Sequence, residues 1–284
     1  MEPFVPMESA ERISLFNIDK WMQHNKRLTV GFTGRQGGSS SGEYRSLNMG
    51  LHVGDDAPDV IANRKLVSQA IMWPFTAWTC TEQVHSNRVC VIDQALRGKG
   101  KDSHHDAIKK CDALITNEVG TLLVSYYADC VPLFFYDKVH SAIGLAHAGW
   151  RGTVQEIAKE TIEAMTKHYG TDPAQLQVAI GPSIGQCCYE VDQSVISEVE
   201  RLANRYQVNP AEQKWIETTN SSGKAQIDLK EINRQIMMEA GILPIHIELT
   251  TYCTGCRTDL FFSHRMENGK TGRMASWIGL TEGE

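Results

Sequence analysis

Apolar and polar positions follow two different periods along this chain. Residues 28–32, 113–116, 122–127, 133–136, 142–146, 177–180 and 246–249 are short apolar runs of strand length. Several are continuously apolar instead of alternating, which predicts strands covered on both faces. Elsewhere the period is helical. Val154, Ile157, Ala158, Thr161, Ile162 and Met165 make one stripe, on a helix expected to end near Gly170. Val195, Ile196, Val199, Leu202, Ala203 and Tyr206 make a second, and Leu229, Ile232, Ile236 and Met237 a third. Asp228 with Glu231 reads as an N-cap and its partner, and Gly241 as the stop.

A further helix is expected over about 57–71, and a polar solvated loop over 97–106. No repeat or composition shift marks a linker. The pattern therefore predicts an α/β fold, with mixed, α+β-like sheets and flanking helices in a single domain over 1–284, and with 1–27 as a peripheral N-terminal segment.

Three islands interrupt this pattern with reactive side chains: Gln83-Val84-His85, Ala128-Asp129-Cys130 and His147-Ala148-Gly149-Trp150-Arg151-Gly152. Each sets a nitrogen or sulfur donor at or near the end of an apolar run, where a side chain is held rigidly yet faces a pocket. Convergence of His85, Cys130 and His147 would give a three-ligand metal site. Such a site keeps its fourth position for water or substrate, which distinguishes a catalytic zinc from a structural one. The same donors suit copper. The plain structural reading is a buried thiol and two hydrogen-bonded histidines.

Further motifs carry a resemblance: Thr33-Gly34-Arg35-Gln36-Gly37-Gly38-Ser39, Ser46-Leu47-Asn48-Met49-Gly50, Asn63-Arg64, Ile180-Gly181-Pro182 and Phe261-Phe262-Ser263-His264-Arg265, together with the three islands. In these the chain resembles the laccase-domain, or polyphenol-oxidase-like, family from about Val30 to Leu280. That family includes peptidoglycan editing factors and purine nucleoside phosphorylases. The resemblance implies a zinc ion on His85, Cys130 and His147, with these three residues at the catalytic centre. It also implies phosphorolysis of adenosine, inosine, guanosine and 5′-methylthioadenosine, and deamination of adenosine. A copper polyphenol oxidase is the less favoured expectation, because it would carry many more histidine ligands.

Phosphorolysis needs an anion site, support for a cationic ribose and a proton for the departing purine. Arg64 is a candidate clamp for phosphate or a ribose hydroxyl, set against its place on a surface helix. Asn48 is a candidate for holding base or sugar, set against an asparagine that fixes its own turn. The glycine-rich stretch 33–42 matches no phosphate-binding fingerprint and reads as a flexible pocket lip. A Cys130 thiolate activated by His147 or His85, with Asp129 orienting a histidine, would instead make a cysteine amidase acting on peptidoglycan precursors. A non-catalytic, zinc-stabilised binding protein is the third reading.

Composition narrows the partners. Of 284 residues, 42% are hydrophobic, enough for a sizeable core, and 28 Lys and Arg against 34 Asp and Glu give a net charge of −6. The scattered basic residues argue against nucleic acid. No run is long and apolar enough for a membrane span, and the N-terminus, with Glu2, Glu8 and Glu11, has no apolar leader core. A cytoplasmic monomer acting on purine nucleosides and phosphate is expected. Its eight cysteines are then expected to be free thiols. Cys253-x-x-Cys256 reads as two packed thiols in a loop, since two further ligands at matching spacing are not apparent.

Overall fold

The computed structural model describes residues 1–7, 13–207, 215–218 and 223–282, so Glu8 and Glu11 lie outside the described residues. Two six-stranded sheets form the body. Across the first run Val5–Met7, Leu15–Asn17, Leu28–Thr33, Met274–Leu280, Leu122–Tyr127 and Trp78–Cys80. Across the second run Ile247–Leu249, Gln177–Ile180, Val131–Asp137, Ala142–Ala148, Ala113–Thr116 and Val89–Val91. The centre of the second sheet is antiparallel and both of its edges are parallel pairs. A small sheet of Glu190–Asp192, Lys224–Ile227 and Ile216–Thr218 stands beside them.

The continuously apolar strands have the predicted cause. Phe32, Leu123, Tyr127 and Ile278 of the first sheet share one core with Leu114, Phe134, Leu145 and Ala179 of the second. On the other face of the second sheet, Ile115, Leu133 and Val178 pack against Ile157, Ile162, Val199, Ile232 and Ile236 from the three striped helices. On the other face of the first, Trp78, Val124 and Trp277 meet Val67 of the helix Ala57–Ala70. Side chains thus alternate between two cores, and neither face of a central strand needs polar residues.

Helix ends follow the sequence signals, with one exception. Asp228 accepts the N–H of Glu231 at 3.0 Å, and Gly170 and Gly241 take the left-handed backbone at their helix ends. The stripe beginning at Val154, however, spans two helices, Trp150–Val154 and Ile157–Tyr169. Glu156 breaks them with φ 61°, and its carboxylate is taken by Arg205 and Tyr206 of the neighbouring helix. Met274–Leu280 was not expected as a strand, yet it lies at the centre of the first sheet. Its apolar run is diluted by Ser276 and Gly279, and a Cβ on Gly279 would meet the Trp73 ring at 2.7 Å.

Three other expectations change. The described residues of the segment 1–27 are no appendage: they supply two strands, and Phe4, Phe16, Ile18 and Trp21 fill the core between the sheets. The glycine-rich stretch is not a free lip, because the N–H groups of Gly37 and Gly38 donate to Ser46 Oγ and that of Ser39 to Asn63 Oδ1. Nor are all the cysteines free, since Cys90 and Cys111 are joined in a disulfide next to the parallel pair Val89–Val91 and Ala113–Thr116.

Candidate metal centre

Strand register brings the first two donors together. Val131–Asp137 and Ala142–Ala148 pair with Pro132 opposite His147, so Cys130, one residue before its strand, sits at the same end as His147 near the close of the other. His85 arrives from beyond Trp78–Cys80 of the facing sheet, with φ 61°. The donor atoms of His85, Cys130 and His147 all lie within 4.8 Å of one another, and Cys130 Sγ is 3.9 Å from His85 Nε2. Bonds of about 2.0–2.3 Å to one tetrahedral ion would place donors roughly 3.3–3.8 Å apart, so the three fit a single zinc-sized ion after small adjustments.

One carboxylate, unremarked in the sequence, organises this corner. Asp112 accepts the N–H groups of Val84, His85 and Ser86 and the Ser86 hydroxyl. The same carboxylate lies 3.0 Å from His147 Nδ1. It therefore fixes the left-handed turn that presents His85, and it leaves Nε2 of His147 as the free donor. Asp129, the expected orienting acid, takes no histidine. It accepts from the Thr254 hydroxyl at 2.6 Å and from the Arg265 N–H at 2.7 Å, bracing the turn that carries Cys130. Gly149 closes the site from behind: a Cβ there would lie 2.9 Å from His85 Cδ2 and 3.0 Å from Cys130 Sγ.

The charges are mutually supporting. Burial alone would raise the Cys130 thiol, but His147 and His85 outweigh it and bring it down to about 6. Burial alone would lower His147, but Cys130 and Asp112 raise it to about 9. Against its own burial, hydrogen bonds from His147 and Ser86 hold Asp112 at about 2. Without a metal the pair is a thiolate and an imidazolium at neutral pH, and a borderline metal would take the place of the His147 Nε2 proton to meet one thiolate and two imidazoles.

His85 and Cys130 open on a cavity of about 250 Å³ that is also lined by Trp150, Arg151, Tyr189, His264 and Arg265. The Arg265 guanidinium stands 5.1 Å from the Tyr189 ring centre. A second cavity, about 160 Å³, is lined by Gln83 and Val84, just before His85, and by His52, Arg64, His104 and Tyr126. Desolvation and the charge of Arg273 pull His52 down to about 4, which keeps it neutral at neutral pH.

The two expected substrate ligands have other occupations. Arg64 is buried, not on a surface helix face: its N–H groups donate to the carbonyls of Met49, Gly100 and Lys101, and its guanidinium lies 4.4 Å from the Tyr126 ring centre. It clasps two loops, and in doing so it packs the backbone of the stretch 97–106 that was expected to be solvated. Asn48 is fully buried, donates to Asp55 and accepts from the N–H groups of Gly50 and Arg273. Both hold backbone in place, because their polar atoms are spent within the chain. The sequence pattern assigned no role to Asp112, Trp150, Arg151, Tyr189, His264 or Arg265. Of these Trp150, Arg151, His264 and Arg265 had one signal, their place in the sequence motifs His147–Gly152 and Phe261–Arg265.

Residues 29–281 match the family described as multi-copper polyphenol oxidoreductase laccase. The chain is 40% identical over 272 residues to the purine nucleoside phosphorylase YlmD of Bacillus subtilis, with 95% of each chain covered. It is 41% identical over 253 residues to that of Geobacillus stearothermophilus, covering 89% of this chain and 90% of the relative. The crystal structure of YlmD from Geobacillus stearothermophilus superposes with a TM-score of 0.90 at 38% identity, covering 99% of this chain and 100% of that one. A Bacillus licheniformis hypothetical protein, YfiH, gives the same TM-score and coverage at 39% identity.

Proposed function

The chain belongs to the multi-copper polyphenol oxidoreductase laccase family, and we propose that it is a zinc-dependent enzyme of purine nucleosides. In this reading it phosphorolyses adenosine, inosine, guanosine and 5′-methylthioadenosine and deaminates adenosine. Its relatives are named purine nucleoside phosphorylases. The observation that carries the reading is the opening of the three-donor centre onto a cavity walled by aromatic rings and by cations.

Each wall has a task. Trp150 and Tyr189 offer faces on which a purine can stack, and Arg151 and Arg265 offer guanidinium forks for phosphate. His264, lowered first by desolvation and next by Arg273, has its imidazolium form disfavoured and can accept a proton from an attacking water. Asp112 holds His147 and the His85 turn, and Asp129 holds the turn of Cys130, so the donors do not reorganise during reaction. Arg64 and Asn48 act at a distance as positioning residues. A zinc ion on His85, Cys130 and His147 would supply a Lewis acid with a fourth coordination position.

The test is chromatography of products from adenosine, with and without phosphate. Adenine formed only with phosphate, or inosine formed without it, supports the reading; neither product from metal-loaded protein overturns it. The lowered thiol of Cys130 favours one second reading, a cysteine amidase. Chelation separates the two, because metal removal should abolish nucleoside turnover and spare or enhance hydrolysis by the thiol.

A further inference from the structure

Cys187 and Cys188 follow the strand Gln177–Ile180, and Cys253 and Cys256 follow Ile247–Leu249. Those strands are parallel neighbours, so their ends deliver two pairs of thiols, about seventy residues apart in sequence, to one place. Cys187 Sγ lies 3.8 Å from that of Cys188, 3.7 Å from that of Cys253 and 3.5 Å from that of Cys256, and Cys188 and Cys256 are 3.5 Å apart. All four sulfurs lie within 4.8 Å of one another. We propose that these four cysteines form a second metal site, a closed mononuclear zinc centre that is structural and distinct from the three-donor centre.

Three arguments converge. The edge of a tetrahedron with zinc–sulfur bonds of about 2.3 Å is about 3.8 Å, close to the four shortest separations here. A disulfide would join the sulfurs in pairs at about 2.05 Å, whereas Cys187 here has three near-equal neighbours. A tetrathiolate of this size selects a single ion, and four protein ligands leave no position for substrate.

The surroundings are built for sulfur. The Gly185 N–H donates to Cys253 Sγ at 3.1 Å, the kind of donor that stabilises a ligating thiolate. A Cβ on Gly255, inside the Cys253–Cys256 turn, would lie 2.8 Å from Cys188 Cβ, so only glycine lets the two pairs approach. Lys230 is buried, donates to the carbonyls of Thr250 and Tyr252 just before Cys253, and stands within electrostatic reach of Cys253 and Cys187. Its charge offsets part of the net negative charge of four thiolates around a divalent ion.

The site has a purpose in the fold. It ties the turn after Gln177–Ile180, which carries Ile184 and Tyr189 into the 250 Å³ cavity, to the loop whose Thr254 hydroxyl holds Asp129 beside Cys130. Zinc there would fix one wall of that cavity and the Cys130 turn together.

The experiment measures metal per chain by plasma mass spectrometry, on full-length protein purified under reductant and desalted. Two zinc equivalents are expected in the wild type, and one in a His85→Ala/His147→Ala variant. Cobalt(II) loaded into that histidine variant should give the intense near-ultraviolet thiolate-to-cobalt absorption of a tetrathiolate, lost in Cys187→Ser/Cys188→Ser. The wild-type count and the histidine variant do not depend on the cysteine variant folding. No zinc in the histidine variant, no cobalt signal in that variant, stoichiometric iron, or disulfides among the four cysteines of the reduced protein would each overturn the proposal. Nucleoside turnover is not the readout, so the result is independent of the activity proposed above.

Discussion

The three-donor centre and the four-thiol cluster stand at the same end of the same sheet, and they are built in opposite ways. Cys130 and His147 come from paired strand ends, and a carboxylate network under them holds the geometry while one side stays open to a cavity. Cys187, Cys188, Cys253 and Cys256 come from two parallel strand ends and surround a common point at the surface, where four donors would fill every position of a tetrahedral ion. Ligand number separates the roles: three donors with a cavity suit chemistry, and four without one suit architecture. Support differs correspondingly. Asp112 organises the open centre through five hydrogen bonds, whereas the closed cluster relies on glycines that allow sulfur and backbone to approach.

The comparison breaks first at the ligands. Cys130→Ala should remove metal from the open centre and reduce nucleoside turnover to background, with little loss of thermal stability. Cys253→Ser should instead lower the melting temperature by roughly 5 °C or more, since a structural zinc contributes folding energy directly. Differential scanning calorimetry with metal analysis on both variants checks this. Equal melting shifts in the two would erase the distinction.

Gly149→Ala tests packing without touching a donor. Its Cβ would crowd His85 and Cys130 at about 3 Å, and overpacking of roughly 1–3 kcal/mol translates into roughly 10–100-fold weaker metal binding at the open centre. Competition against a chromophoric chelator measures it, and no change would show that the turn gives way freely.

Asp112→Asn probes the support of the open centre, with an expected loss of 10–100-fold in metal affinity, about what removal of a ligand's hydrogen-bond partner costs. The same residue has a pH signature. Held at about 2 in the folded chain against an ordinary value near 4, Asp112 stabilises the fold fully above about pH 4. That stability, of order 2 kcal/mol, is lost as pH falls from about 4 to 2. Acid titration of metal-free protein should show this loss in the wild type and not in the variant.

The smallest effect expected is at the link between the regions. Thr254→Val removes the hydroxyl bonded to Asp129 and should cost about 1 kcal/mol of stability. KM for adenosine should rise more than kcat falls, because the Cys130 turn loosens while the donors remain. Steady-state kinetics settle which parameter moves.

How much of this the sequence disclosed follows from locality. His85, Cys130 and His147 were visible because each stands at or near the end of an apolar run. Asp112 was not, because its partners are backbone N–H groups some 26–28 residues earlier and a histidine 35 residues later. No short pattern marks such an acid. The cysteine cluster was half visible: Cys253-x-x-Cys256 has ligand spacing, but its partners are an adjacent Cys-Cys pair brought near only by the parallel register of two distant strands. Arg64 and Asn48 were expected to hold phosphate, sugar or base, but their hydrogen bonds turn inward to Asp55 and to the backbone. In the fold, the strands and stripes emerged from periodicity, while Met274–Leu280 was hidden by the small residues its neighbours demand.

The most direct test of the central claim is adenosine turnover during titration of zinc into chelator-stripped protein, for the wild type and for Cys130→Ala. The account predicts turnover that is absent without metal, returns with zinc in the wild type and never returns in the variant. Full turnover by the stripped wild type, or recovery by the variant, would contradict it.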